Sequence, residues 1–146
     1  LAAIRSLRDA GVPVGVLVAP VIPALTDHEL PAIIATTVEA GAQFAGYVTL
    51  RLPHAVGPLF EDWLSRHFPG KKEKVLNRIR SVRDGKMNDS QFGTRMTGEG
   101  IFADQIGKIF EVACRKAGIL ERHAQLSAAA FQRPGTGQLS LWNERS

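Results

Sequence analysis

The chain has 146 residues, 45% hydrophobic and 22% charged, with a net charge of +4. That balance excludes wholesale disorder and a collagen-like repeat, and the length suits about one domain. No apolar run approaches the roughly 18 residues of a membrane span, so no membrane partner is expected, and the single Cys114 excludes an intramolecular disulfide framework or a self-contained four-cysteine metal site.

Leu1, Ile4 and Leu7 recur at helical spacing and Gly11 follows, which predicts the closing turns of a helix. The chain is therefore expected to be the later part of a longer protein. No basic–apolar–small leader opens it, and a cytoplasmic setting is expected. Val12 to Pro20 is apolar on both faces and rich in β-branched residues, the pattern of a parallel strand covered on both sides. Pro20 and Pro23 should end it. Thr26 and Glu29 have the spacing of a capping box, Pro31 falls near the first turn, and Leu30, Ile33, Ile34, Thr37 and Val38 form a helical face closed by Gly41. Phe44 to Leu52 is a second strand, stopped by Pro53. Helix, strand, helix, strand with short loops implies a right-handed, parallel βαβ unit.

After Pro53 the pattern turns helical. Val56, Leu59, Phe60, Trp63 and Leu64 predict one amphipathic helix. Lys71 to Asp84 predicts another, with Val75, Leu76, Ile79 and Val82 inward, the basic residues outward and Gly85 as its stop. Residues 86–100 have no clear period. Phe102 to Ala117 is a third helix, with Phe102, Ile106, Ile109, Phe110 and Ala113 inward and Gly118 closing it; Cys114 within it is expected to be a packed thiol. Two strands do not make a stable sheet on their own. That leaves the back part of a larger α/β barrel or a small α/β domain completed elsewhere, and the start within an element favours the barrel. The expected division is 1–55 for the end of the barrel, 56–125 for a helical extension and 126–146 for a flexible tail.

In parallel α/β folds ligands gather at the carboxyl ends of strands. Those ends here are Ala19–Pro20 and the stretch from Arg51 to His54. Arg51 is the lone cation of an apolar strand; it could grip a carboxylate or phosphate through its planar fork, or form a structural salt bridge. His28 reads as a surface residue at a helix start and Glu29 as the capping partner. No second histidine follows His28-Glu29 at zinc-protease spacing, and no P-loop, dinucleotide fingerprint or nucleophile elbow is present. From Arg66 to Arg95 nine basic residues stand against three acids, a net +6, so the remainder carries −2. This surplus is either a solvated helix face or a surface for phosphate, with the helix at 71–84 meeting nucleic acid.

Three strings carry a family resemblance. Ala19-Pro20-Val21-Ile22-Pro23-Ala24-Leu25-Thr26-Asp27-His28-Glu29 resembles the P-x-I-P-G-L-N-D-x-E stretch after a late barrel strand of many radical S-adenosylmethionine enzymes. Gly46 to Phe60 is similar to the next strand and helix of the branch related to spore photoproduct lyase. Asn88-Asp89-Ser90-Gln91-Phe92-Gly93-Thr94-Arg95-Met96 resembles the N-D-S-x-F-G-x-R-M loop of a bacterial group in that branch. The resemblance spans about residues 1–125. It implies the carboxyl-terminal part of a partial (β/α)6 TIM-like barrel with a helical extension. It also implies an enzyme that cleaves S-adenosylmethionine with a [4Fe–4S] cluster held by C-x-x-x-C-x-x-C. Ala19, Pro20 and Arg51 would then face cofactor or substrate, and the loop bearing Asn88, Asp89 and Arg95 would cover the site. The chain departs from the family pattern at Ala24 and Thr26, where Gly and Asn are common, and in its single cysteine. The cluster motif is therefore expected upstream, with no cluster held by this chain alone.

The tail resembles a second motif. Gln138, Leu139, Leu141 and Trp142, in QLSLW, are similar to the Q-L-x-L-F peptide that docks bacterial DNA-processing proteins on the sliding clamp. An extended peptide with one polar anchor and several apolar ones suits a surface pocket; the other reading is a tail packed on its own domain. Two functions follow from the sequence: part of a radical S-adenosylmethionine enzyme with an unknown substrate, nucleic acid among the candidates, or a non-catalytic nucleic-acid or sliding-clamp binding module.

Overall fold

The computed structural model describes residues 1–119 and 128–129. They form a mixed α/β structure of five helices and one two-stranded parallel sheet. Helix α1 (Ala2–Asp9) leads into strand β1 (Gly15–Val21), helix α2 (Leu30–Ala40) and strand β2 (Phe44–Thr49), followed by α3 (Val56–His67), α4 (Lys72–Ser81) and α5 (Ile101–Ala117). Short 3-10 turns at Asp27–Glu29 and Pro69–Lys71 lead into α2 and α4. The β1–α2–β2 order and the parallel pairing agree with the expected crossover unit.

Gly15 pairs with Phe44 and Val18 with Tyr47, and the register then slips before Val21 meets Thr49. Ala19 and Pro20, joined by a cis peptide bond, occupy the slip. Proline has no N–H for the ladder, so a bulge accommodates it. The strand thus passes Pro20 and ends at Val21, rather than running from Val12 to Pro20. A side chain at Gly15 could not be housed: a Cβ there would lie 2.1 Å from the Phe44 ring and 2.8 Å from its carbonyl oxygen.

The sheet is covered on one face only among the described residues. Val16, Val18, Ala45 and Tyr47 pack with Ile34 of α2 and with Ile106, Phe110 and Ala113 of α5. Leu17, on the other face, is 64% exposed, contrary to the expectation of two covered faces. Cys114 is buried in the same core, as expected for a packed thiol.

A second core closes over the carboxyl ends of the strands. Leu25, Leu50 and Leu52 meet Leu64 of α3 and Val75, Leu76 and Ile79 of α4. Leu50 and Leu52 were expected inside β2, but regular pairing stops at Thr49. The Thr49 N–H donates to the carbonyl of Met96 at 2.8 Å, so a loop takes the position of a further strand.

Several local expectations are corrected. Thr26 and Glu29 form no capping box: Thr26 Oγ1 accepts the Ile22 N–H at 2.9 Å, and Asp27 accepts those of Ala24 and His28 at 3.0 and 3.1 Å. The loop's own amides outcompete the helix start for these oxygens. Helix α3 turns much of its apolar stripe outward, with Val56 44%, Leu59 68% and Trp63 38% exposed, while Leu64 is fully buried. Helix α4 covers Lys72–Ser81 rather than 71–84. Its last turn loosens at Val82, and the N–H of Gly85 closes on the Arg80 carbonyl at 2.8 Å. Pro31 stands in the first turn of α2, and Gly41 and Gly118 end α2 and α5 in the left-handed conformation, as the sequence predicts.

No helix among the described residues is long and apolar enough to cross a membrane.

Candidate functional site

The carboxyl end of β2 gathers the polar groups that the fold leaves inside. Arg83 was expected on the outer, basic face of the fourth helix. It is instead 1% exposed and reaches under the end of β2. Its guanidinium donates to the carbonyls of Thr49 at 3.2 Å, Leu50 at 3.0 Å and Thr94 at 3.1 Å. One side chain thereby ties the turn after α4, the end of β2 and the 86–100 loop together. Burial pushes the Arg83 guanidinium below its ordinary pKa; the charge of Asp89 opposes this and that of Arg51 adds to it.

The 86–100 loop has no period but has many fixed points. Thr49 Oγ1 donates to the Thr97 carbonyl at 2.9 Å, and the Glu99 N–H donates to the Val82 carbonyl at 3.2 Å. Gly98 has φ +84°, and a Cβ there would sit 2.8 Å from the Val82 oxygen, so both its conformation and its closeness require glycine. Asp89 organises the loop's near end. The Thr94 hydroxyl donates to its Oδ2, and the Gln91 N–H donates to Oδ1 at 2.8 Å. These bonds, the Thr94 hydroxyl foremost, hold its carboxyl below the ordinary 3.8, aided by the charges of Arg83 and Lys86.

Arg51 stands next to this assembly, half-buried, two residues beyond the last paired residue of β2. Among the described residues it forms no salt bridge. Its Nε is buried without a hydrogen-bond partner, as are Arg83 Nε and Asn88 Oδ1. Buried polar atoms are normally satisfied, so two arginine donors left open at one strand end are unusual.

The expected site residues thus divide. Arg51 follows the end of β2, and Asp89 lies near enough to Arg83 to feel its charge, with Asn88 beside it in the chain. Arg95 belongs to the same loop, with its guanidinium 5.2 Å from the centre of the Phe92 ring. Ala19 and Pro20 lie in the bulge of β1 and are exposed. His28 and Glu29 are exposed on the turn before α2. Gln138, Leu139, Leu141 and Trp142 lie outside the described residues. Arg83 is the residue the sequence reading missed. Its signal was position, since it falls four residues after inward-facing Ile79 and directly after buried Val82.

The donor set does not fit an iron–sulfur cluster. Cys114 is enclosed by apolar side chains, and no group of three or more His, Cys, Asp or Glu residues able to hold a metal occurs among the described residues. A carboxylate-bearing ligand is a different case, because the half-buried Arg51 guanidinium forms no salt bridge among the described residues.

No family model, curated protein or solved structure matches the chain.

Proposed function

We propose that the chain is the carboxyl-terminal part of a radical S-adenosylmethionine enzyme of the branch related to spore photoproduct lyase, contributing the last strands of a partial (β/α)6 barrel and a helical extension. The three resembling strings support this reading, as do the parallel β1–α2–β2 unit and the uncovered sheet face at Leu17. Cluster ligands would come from the protein upstream of this chain. This part would supply a wall of the site at the strand ends.

The observation that carries the proposal is Arg51. A half-buried guanidinium with no acidic partner among the described residues stands at the functional edge of a parallel strand. Arg83 behind it adds a second positive charge, which the Asp89 carboxylate offsets, so Arg51 is left as the cation for an anionic ligand. Arg51 would hold a carboxylate, that of S-adenosylmethionine or of a substrate, through two parallel N–H bonds. The 88–97 loop would close one side of the site, its shape fixed by Arg83 and Asp89.

The test is anaerobic assay of the whole protein that carries this chain. Release of 5′-deoxyadenosine from S-adenosylmethionine under reducing conditions is the expected result. Absence of that product from a protein with a fully loaded cluster rejects the reading. The competing function, a non-catalytic nucleic-acid or sliding-clamp binding module with the basic residues of α4 as its surface, would then stand.

A further inference from the structure

A cleft of about 570 Å³ opens between the turn after β1, helix α4 and helix α5, apart from the Arg51 site. Its volume is that of a small-molecule pocket. Lys74 and Arg78 of α4 line one side and Lys108 of α5 lines the other. None of the three forms a salt bridge among the described residues. The cleft's one acid, Asp27, is already engaged, accepting the backbone N–H groups of Ala24 and His28. The wall is apolar, made by Phe102, Ile106 and Ile109. The Arg78 guanidinium lies over the Phe102 ring, 3.1 Å from its centre, which fixes this cation in place.

Three cations from two helices, none in a salt bridge among the described residues and set against an apolar wall, match a ligand with a compact anionic group and a flat, weakly polar body. We propose that this cleft binds a phosphoryl group attached to such a body, with Lys74, Arg78 and Lys108 holding the phosphoryl oxygens and Phe102, Ile106 and Ile109 contacting the rest. Lysines serve as point charges to phosphate, and arginine adds its fork. The phosphoryl group can belong to a free nucleotide or to one unit of a nucleic-acid strand; both present the same chemistry. The inference does not depend on the radical-enzyme reading, and its test needs neither cluster nor S-adenosylmethionine.

The experiment is a calorimetric titration with inorganic phosphate, adenosine 5′-monophosphate and a single-stranded DNA 12-mer at fixed ionic strength. The Lys74→Gln, Lys108→Gln double variant is run beside the unaltered protein. Both lysines are exposed, so the fold should survive, and circular dichroism checks this. A second double variant, Arg66→Gln with Lys86→Gln, removes the same charge outside the cleft. The expected result is saturable binding of the monophosphate or the 12-mer, tighter than that of inorganic phosphate. The cleft variant should weaken it at least tenfold and the control variant less than twofold. Competition by the monophosphate, with no binding of the 12-mer, assigns a free nucleotide. Binding of the 12-mer alone, lost in the cleft variant, assigns a strand. Equal losses in the two double variants, or no binding of any probe, overturn the proposal.

Discussion

Arg83 donates to the carbonyl of Leu50 at 3.0 Å from a position almost wholly shut off from solvent. The pair joins the second half of the chain to the end of β2, and the same guanidinium holds Thr49 and Thr94. Replacing Arg83 by Ala leaves three carbonyls without their charged donor and opens a void. A loss of about 3 kcal/mol is expected in urea unfolding. Arg83→Lys should recover less than half of it, because an ammonium cannot reproduce the fork. A change below about 0.5 kcal/mol, the range of an ordinary surface substitution, would show that the contact is incidental.

Gly98 supplies a second handle on the same loop. Gly98→Ala puts a Cβ 2.8 Å from the Val82 oxygen at a φ of +84°. The expected cost is about 2 kcal/mol, combining left-handed strain with the clash. Hydrogen exchange gives the local readout. The Thr49 amide, bonded to Met96, should lose protection before the amides within α5. Unchanged protection at Thr49 would mean that the loop does not depend on this close approach.

Asp89 makes the loop sensitive to acid. Its folded pKa lies below the ordinary 3.8, chiefly because of the Thr94 hydroxyl. The folded state therefore binds fewer protons than the unfolded state in this range. The resulting stabilisation is present above about pH 4 and is lost as pH falls through the folded value. Asp89→Asn should flatten that part of the stability–pH curve and lower stability at pH 7, since the neutral amide lacks the charge and has one oxygen where Thr94 and Gln91 use two. An unaltered acid slope in the variant would place the titration elsewhere.

Leu59 and Leu64 sit five residues apart in one helix, and apolar periodicity treats them alike. The structure separates them, at 68% and 0% exposed. Leu64→Ala should cost about 3 kcal/mol and Leu59→Ala less than about 0.5. Equal costs in chemical denaturation would mean that the outer face of α3 is covered in solution.

The contrast marks what was legible in the sequence. Periodicity located α2, α5 and the βαβ order because each buries one stripe against a neighbour within the chain. It misjudged α3, where a stripe records that a face is apolar but not whether anything covers it. The Val12–Pro20 expectation slipped because a bulge absorbs Pro20. Composition marked the 66–95 stretch as basic but could not show that Arg83 turns inward. That outcome depends on bare carbonyls at the end of β2, 33 and 34 residues away in the chain. Arg51 was legible because one cation in an apolar strand stands out. The cleft of Lys74, Arg78 and Lys108 was not, since it arises only where α4 and α5 meet the turn after β1.

Arg51 offers the most direct test of the functional reading. The measurement is the affinity of the whole, cluster-loaded protein for S-adenosylmethionine, together with 5′-deoxyadenosine formation, in the Arg51→Ala and Arg51→Lys variants. Expected is at least a tenfold loss of affinity or turnover in Arg51→Ala, about 1.4 kcal/mol, with an unchanged melting temperature and partial recovery in Arg51→Lys. Binding and product formation equal to those of the unaltered protein would contradict a ligand-facing Arg51.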